Sequence, residues 1–240
     1  MSNLLRIALI AEGWTDQIVI GAAISALVAG RSFSLKLLQP EDPAGSAPFA
    51  DLRPCGWSGV YHWCREVVDR SGRLRDDVIF ASYDVVIIQL DADVAESNYA
   101  AAHIHDAPDP TDLPCNSPDC PPPSATSNPL RVVMLRWAGE TQTPPATVLC
   151  TPSKSIEAWV LAALYPTDPA VTSGKLECIN RPANRLQAKP AAERLVRSGK
   201  KIQERYEAQQ QVFKNEWPQV QQTCSEAQRF SEELLDWVTE

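Results

Sequence analysis

Residues 84–93 of this chain are DVVIIQLDAD, an apolar run rich in β-branched residues that ends in two aspartates. The run is apolar on both faces, which is typical of a strand in the middle of a parallel sheet. Asp91 and Asp93 follow directly after it. Because residues two apart on an extended chain point the same way, we expect these two carboxylates to converge on one cation.

The segment LLRIALIAEGWTD, residues 4–16, has a similar organisation. A short apolar strand ends at Glu12, Gly13 allows a tight turn, and the apolar residues that follow recur near helical spacing. Ligands of open α/β sheets bind at the carboxyl ends of the strands, which is where Glu12 would lie. Glu12 is therefore a candidate site residue, although a solvated turn residue could have the same local sequence.

Strand and helix patterns alternate along the first two thirds of the chain. FSLKLLQP (33–40) and ATVLC (146–150) predict short strands, while GVYHWCREVVDR (59–70) and SIEAWVLAALY (155–165) predict helices. Such alternation predicts an α/β fold, in which a mostly parallel sheet is flanked by helices on both sides.

The chain divides by composition into two regions. We assign the α/β domain to residues 1–165 and a helical C-terminal region to residues 166–240, where apolar residues again recur at helical spacing. Pro218 should interrupt or kink that helical pattern.

Glu157 is the only ionisable residue on the otherwise apolar helix predicted over residues 155–165. A buried carboxylate there would need a partner or a cation, because an isolated buried charge is costly. A capping box would need Ser or Thr where Lys154 stands. The helix dipole also favours a glutamate in the first turn, so a purely structural role stays open.

Residues 106–129 hold eight prolines in 24 residues, a density that argues against a regular helix or a central strand. We interpret about residues 103–130 as a proline-rich insertion, a surface loop or a partly ordered segment. A zinc site that would staple this loop is the alternative, because four residues near it have suitable ligand types. They are His103, His105, Cys115 and Cys120, although CNSPDC is wider than the usual CxxC spacing.

The composition indicates a soluble cytoplasmic protein without membrane segments. The apolar N-terminal run is short and bracketed by Arg6 and Glu12, which disfavours a signal peptide, and no uncharged apolar run is long enough to span a bilayer. Seven cysteines, an odd number, favour reduced thiols over a disulfide framework.

The net charge of −8 argues against a broad electropositive surface. One local exception is residues 181–201, RPANRLQAKPAAERLVRSGKK, which carry seven basic residues and a single acid. This basic segment could grip a nucleic acid, or it could be a solvated helix face.

A strand followed by Glu-Gly and a helix, then a later strand ending in Asp-x-Asp, is the motif order of the Toprim domain. LLRIALIAEGWTD and DVVIIQLDAD match that order. The chain resembles the small stand-alone Toprim proteins allied to OLD-family nucleases and RloB-like proteins, in which a helix near a Glu-x-Trp segment follows, as in SIEAWVLA here. The resemblance covers residues 1–165 outside the proline-rich insertion.

The resemblance implies a divalent-metal site for Mg²⁺ or Mn²⁺, because hard oxygen ligands suit these ions. Its ligands would be Glu12, Asp91 and Asp93, with Glu157 as a further ligand and Glu12 alternatively as a general base. The implied function is that of a nuclease, which hydrolyses DNA or RNA phosphodiesters in bacterial defence against phage.

OLD-type nucleases often use a late lysine near the site, and the sequence does not choose among Lys154, Lys200 and Lys201. The resemblance also allows a non-catalytic regulatory or sensor subunit of a larger defence complex, and a nucleotidyl transferase of the primase kind. Partners would be a nucleic-acid substrate, an ATPase or another defence-system subunit, or further copies of the chain in a homo-oligomer.

Overall fold

The structure is a computed structural model that describes residues 4–41, 54–116 and 119–238. Its main sheet has four parallel strands in the order β2-β1-β3-β4. The strands are β1 Leu5–Ile10, β2 Phe33–Gln39, β3 Val85–Gln89 and β4 Thr147–Cys150. The predicted α/β fold with a parallel sheet is confirmed, and β3 lies inside the sheet, as its apolar sequence predicts.

Helices follow each strand, and more of them form the last third of the chain. They are α1 Trp14–Leu27, α2 Trp57–Ser71, α3 Ile79–Ser82, α4 Ser124–Trp137, α5 Glu157–Leu164, α6 Pro169–Thr172, α7 Pro182–Gln187, α8 Gln203–Ala208, α9 Gln210–Asn215, α10 Trp217–Thr223 and α11 Ser225–Val238. A short antiparallel pair, β5 Val196–Arg197 and β6 Lys200–Lys201, precedes α8. In the described part of the chain, no helix is both long and apolar enough to cross a membrane.

The sheet is covered by a separate hydrophobic core on each face. Successive side chains of a strand point to opposite faces, and in β1 Ile7 and Leu9 belong to one core while Ala8 and Ile10 belong to the other. Helices α1 and α5 pack on the first face, and α2 and α4 pack on the second. The predicted helical layers on both faces are therefore confirmed.

The C-terminal helices extend the first core rather than forming a separate one. Buried aromatic residues of α8 to α11 belong to the same cluster as β1 and α5; they are Tyr206, Phe213, Trp217 and Phe230. The Trp159 ring of α5 lies 5.4 Å from that of Trp217 and 6.0 Å from that of Phe230, centroid to centroid. These contacts hold the C-terminal helices against the helix that begins at Glu157.

The interruption predicted at Pro218 is confirmed. Helix α9 ends at Asn215, and Pro218 lies in the first turn of α10. Proline is tolerated there because the first backbone N–H groups of a helix have no partner within the helix.

The connections that leave β1 and β3, the two inner strands, run to opposite sides of the sheet. The chain leaves β1 towards β2 on one side, and it leaves β3 towards β4 on the other. Connections that diverge from two neighbouring strands leave a crevice at their carboxyl ends, where open α/β sheets bind ligands. Glu12 follows β1 and Asp91 follows β3, so both lie at this crevice.

The expectation that residues 106–129 contain no regular helix is wrong at their C-terminal end. Helix α4 begins at Ser124 and continues through Pro129. Pro129 lacks one backbone donor, but the helix is held by its apolar face, which buries Leu130, Met134 and Trp137 against the sheet. Residues 117–118 lie outside the described residues.

One pair of cysteines departs from the expectation of reduced thiols. Cys120 and Cys178 form a disulfide with their Cα atoms 5.4 Å apart, which links the proline-rich segment to the C-terminal region. Cys55, Cys64, Cys115, Cys150 and Cys224 are free. Only the tertiary fold brings Cys120 and Cys178 together, so the sequence could not reveal the pair.

The disulfide also removes Cys120 from the proposed zinc ligands. His103 and His105 are both exposed, and Cys115 is free. Among residues 4–41, 54–116 and 119–238, no group of three His, Cys, Asp or Glu side chains is placed so that it could hold a metal ion. The zinc hypothesis is therefore wrong for these residues.

Candidate active site

Glu12 reaches from the end of β1 to the end of β3. Its Oε1 atom accepts a hydrogen bond of 2.7 Å from the backbone N–H of Asp91. Its own N–H donates to Oε1 of Gln89, the last residue of β3, at 3.1 Å. The structure thus brings together two residues that the sequence predicted at the same edge of the sheet.

Asp91 is buried and holds three segments together. Its Oδ1 atom accepts hydrogen bonds from Nε2 of Gln89 at 2.9 Å and from the backbone N–H of Ile156 at 3.0 Å. Ile156 directly precedes α5, so Asp91 joins the end of β3 to the start of the helix that carries Glu157. One carboxylate oxygen of Asp91 is therefore already used by the fold.

The prediction that Asp91 and Asp93 point the same way from an extended chain is wrong. Strand β3 ends at Gln89, and the chain enters a 3-10 helix over Ala92–Glu96. Asp91 precedes that helix and is buried, whereas Asp93 lies within it and is exposed. A tertiary contact holds this turned backbone: the N–H of Asp93 donates to the carbonyl of Lys154 at 3.0 Å.

Asp93 and Glu12 line one pocket of about 660 Å³ at this edge of the sheet. We call it the acidic pocket, although its wall carries cations as well. Its lining residues are Glu12, Trp57, Asp93, Val94, Glu96, Ser97, Lys154, Asn180, Arg181 and Pro182. Two carboxylates named from the sequence therefore face the same solvent-filled space.

Glu157 lies beside Lys201, a residue from the C-terminal region. Lys201 Nζ is 2.7 Å from Glu157 Oε1 and 3.0 Å from Asp16 Oδ1. The hydroxyl of Tyr206 also donates to Glu157 Oε1 at 3.3 Å. The partner that a buried Glu157 required is therefore a lysine, and Lys201 is the one of the three candidate lysines that enters this group.

The other two lysines have different surroundings. Lys154 forms an ion pair with Glu96 on the wall of the acidic pocket. Lys200 is exposed on the short β6 strand.

Asp16 is a site residue that the sequence analysis missed. It lies in the first turn of α1 and is 1% exposed, so its side chain points inward towards Lys201. Its Oδ2 atom is buried and has no hydrogen-bond partner among the described residues. An acid four positions after Glu12, as the one charged residue of the helix predicted there, was the available indication.

We call these five acids the acidic cluster, namely Glu12, Asp16, Asp91, Asp93 and Glu157. Burial and the charge of Asp93 raise the pKa of Glu12 to about 8. Asp93 keeps part of its surface exposed, but desolvation by the surrounding protein and the charge of Glu157 raise its pKa to about 6. Burial, above all, also raises the pKa values of Asp16 and Asp91. The cluster therefore holds more negative charge than its own surroundings stabilise.

Glu157 differs from the other four acids of the cluster, because Lys201 lowers its pKa. Burial alone would raise the pKa of Glu157, but the ammonium of Lys201 lowers it below its usual value. Burial alone would likewise lower the pKa of Lys201, yet Asp16 and Glu157 raise it well above its usual value. Glu157 and Lys201 are therefore both charged at neutral pH.

The basic segment of residues 181–201 divides between two places. Arg185 Nη2 and Lys189 Nζ pair with Asp168 at 2.6 and 2.8 Å, away from the acidic cluster. Arg181 lines the acidic pocket, and Lys201 enters the cluster. The segment is thus neither a continuous basic groove nor a simple solvated helix face.

No family model, curated protein or solved structure matches this chain. As placed, no three acidic, histidine or cysteine side chains of the described residues could hold a metal ion together. The site consists of several carboxylates at one edge of the sheet. Two of them, Glu12 and Asp93, line the acidic pocket, and the cations Lys154 and Arg181 line it as well.

Proposed function

We propose that this chain is a divalent-metal-dependent nuclease of the Toprim type, which hydrolyses phosphodiester bonds of nucleic acid. The observation that carries the proposal is the hydrogen bond between Glu12 and Asp91, which join the ends of neighbouring parallel strands beside the acidic pocket. The parallel α/β sheet and the position of both acids after its inner strands support the resemblance.

The chemistry of the cluster fits a hard cation. Among the described residues, only two of the five carboxylates of the acidic cluster form an ion pair, namely Asp16 and Glu157 with the ammonium of Lys201. Carboxylates with raised pKa values must take up a proton or a cation, and the unpartnered Oδ2 of Asp16 marks the same deficit of positive charge. Mg²⁺ and Mn²⁺ prefer such oxygen ligands.

Glu12 and Asp93 are the carboxylates that would hold the ion first, because both line the pocket. Asp91 would support them through its backbone N–H, which fixes the Glu12 side chain. Glu157 as a further ligand stays a prediction, since its Oε1 atom is paired with Lys201. A bound divalent cation would polarise the phosphate and stabilise negative charge on the oxygens that attack and leave.

The chain's own residues supply the remaining functions. Glu12 would act as a general base only in place of its role as a ligand, by orienting a water molecule and accepting its proton. That role needs the ionised carboxylate, and a divalent cation bound nearby would lower the raised pKa of Glu12 and so favour ionisation. Lys154 and Arg181 lie on the wall of the same pocket and would attract a phosphate group. The cations of the pocket would bind a phosphate group, and its acids would hold the ion that assists attack by water. Both features fit a phosphodiester substrate.

The Toprim resemblance extends the proposal to a role in bacterial defence against phage. In that setting the nucleic acid would be the substrate, and an ATPase or another defence subunit would be a partner. Association of several copies of the chain is also part of the proposal.

The proposal is tested by incubating the purified chain with plasmid, single-stranded DNA and tRNA in Mg²⁺ or Mn²⁺. We expect cleavage of at least one substrate, and its loss in Glu12→Gln and in Asp93→Asn. Asp236→Asn is the matched control, because Asp236 is an exposed acid on α11.

EDTA should abolish the cleavage by the native chain. Cleavage that survives EDTA, or that Glu12→Gln and Asp93→Asn leave intact, contradicts the proposal. Equal loss in Asp236→Asn would point to a general loss of folding, which a melting curve of each variant detects.

A second candidate function is a non-catalytic regulatory subunit that uses the same site. It is favoured by Lys201, whose ammonium occupies the space between Asp16 and Glu157 where a shared cation would otherwise lie. Titration calorimetry with Mn²⁺ separates the two functions. Metal binding without cleavage of any substrate supports the subunit, and metal binding with cleavage supports the enzyme.

A further inference from the structure

Trp57 is an aromatic residue on the wall of the acidic pocket that the hydrolysis reaction does not use. It is half-buried and lies at the first position of α2. The N–H of the preceding Gly56 donates to the carbonyl of Glu12 at 2.8 Å, so the start of α2 is fixed beside the acidic cluster. The indole and Glu12 line one pocket, and the hydrogen bond from the neighbouring Gly56 holds their backbones close together.

The indole of Trp57 is held rigidly. Its ring stacks on that of Trp137 with centroids 6.0 Å apart and an interplanar angle of 20°. Tyr99 meets it edge-on at 6.1 Å, and the Tyr99 hydroxyl accepts a hydrogen bond of 2.7 Å from Trp137 Nε1. An aromatic ring supported in this way is already ordered before a ligand binds, which reduces the entropy lost on stacking.

The two cations of the pocket share an unusual backbone conformation. Lys154 has φ 59° and Arg181 has φ 52°, the left-handed region that non-glycine residues rarely adopt. Strained backbone of this kind concentrates at functional sites, where the surrounding fold maintains it. Lys154 pairs with Glu96, whereas Arg181 is exposed and forms no ion pair within residues 4–41, 54–116 and 119–238.

Asn180 completes the wall next to Arg181. Its side-chain amide has both donors and an acceptor, which suit the edge of a nucleobase. A flat ring, an amide and an unpaired guanidinium together match an unpaired nucleotide, which has a base to stack and a phosphate to pair.

We propose that the acidic pocket binds an unpaired nucleotide of single-stranded nucleic acid, with the base stacked on Trp57 and the backbone phosphate on Arg181. A base in a duplex is stacked on its neighbours and presents no free face to an indole, so the pocket selects single strands. This inference rests on the proposed function in that it names the substrate class of the same site.

The test is a binding measurement that does not depend on cleavage. Short fluorescein-labelled oligothymidylate, oligouridylate and a duplex of the same length are titrated with the chain in EDTA, and anisotropy gives Kd. We expect both single strands to bind, and Trp57→Ala to weaken that binding by about tenfold, the effect of losing one stacked base. Trp57→Phe should retain most of the affinity, and Trp237→Phe, at an exposed position of α11, should be unchanged.

Arg181→Gln provides a second variant whose folding is not at risk, because Arg181 is exposed. We expect it to weaken single-strand binding and to reduce the salt dependence of Kd, with Lys36→Gln, at an exposed position of β2, as the control. Melting curves establish that each variant is folded.

The proposal is overturned if single strands do not bind, if the duplex binds as tightly, or if folded Trp57→Ala and Arg181→Gln bind like the native chain. A difference between the two oligonucleotides identifies DNA or RNA as the source of the nucleotide. Absence of metal-dependent cleavage together with intact binding in EDTA would contradict the nuclease proposal alone, so the two failures are distinguishable.

Discussion

Lys201 Nζ lies 2.7 Å from Oε1 of Glu157, a contact between the C-terminal region and the helix that follows the last strand of the parallel sheet. The same ammonium lies 3.0 Å from Asp16 Oδ1 at the start of α1. Lys201 thereby joins three parts of the chain. The C-terminal helices are consequently part of the candidate site as well as of its supporting core.

Replacing Lys201 with Met should destabilise the fold strongly. The change leaves Asp16 and Glu157 buried without a counter-charge, and breaking a buried pair by removing one partner costs about 3 to 5 kcal/mol. We expect the lower end, about 3 kcal/mol, because the Lys201 side chain is 31% exposed. Urea unfolding measures the free energy difference.

Lys200→Met is the matched control, since Lys200 is the exposed neighbour on β6. Equal unfolding free energies for the two variants would show that the Lys201 contacts contribute nothing. Adding Glu157→Gln to Lys201→Met should recover part of the loss, because one buried charge is removed.

Mn²⁺ should raise the melting temperature of the native chain. An ion that binds only the folded state stabilises it by about 2.7 kcal/mol at a free concentration of one hundred times Kd. Differential scanning fluorimetry with increasing Mn²⁺ measures the shift. The double variant with Glu12→Gln and Asp93→Asn should lose the shift, while Asp236→Asn keeps it.

A melting temperature that is indifferent to Mn²⁺ would exclude a metal site in the acidic cluster. A shift that persists in the double variant would place the ion elsewhere.

The ion pairs of Asp168 predict a loss of stability in acid. Burial alone would raise the pKa of Asp168, but Lys189 and Arg185, with the N–H of Ala170, lower it to about 2. A carboxyl group with a depressed pKa stabilises the fold above its unfolded pKa, near 4. That stabilisation is lost as pH falls from about 4 to about 2.

We expect Asp168→Asn to remove this part of the pH dependence and to lower stability at pH 7 by about 1 kcal/mol, a value reduced by solvent screening of the partly exposed Arg185. Unfolding by urea at pH 7, 4 and 2.5 measures it. If native chain and variant lose stability in parallel between pH 4 and 2.5, the Asp168 pairs are not the cause.

Reduction of the Cys120–Cys178 disulfide should lower stability. The bond closes a loop with a sequence separation of 58 residues, and loop-closure entropy for that length is worth about 4 kcal/mol. Dithiothreitol should lower the melting temperature of the native chain and leave that of a Cys120→Ser, Cys178→Ser variant unchanged. The variant also controls for the five free thiols. A native chain that melts identically with and without reductant would contradict the prediction.

The sequence alone determined the strands and helices of the sheet and the edge at which the acids lie. Apolar periodicity is a local property, so β1, β3, α1 and α5 could be placed within a few residues. Parallel strands end at a common edge, and this was enough to bring Glu12 to Asp91. The bend that separates Asp93 from Asp91 was not predictable, because it depends on a hydrogen bond to Lys154.

Only the tertiary structure decided what surrounds those acids. Lys201 and Trp57 come from segments far along the chain from Glu157 and Glu12, and nothing local in the sequence ties them to these acids. Asp16 is close to Glu12 in sequence, but only the fold brings it to Lys201. These partners are set by how the chain packs on the shared core. A charged side chain that is removed from water needs a counter-charge, and packing decides which residue lies close enough to provide it.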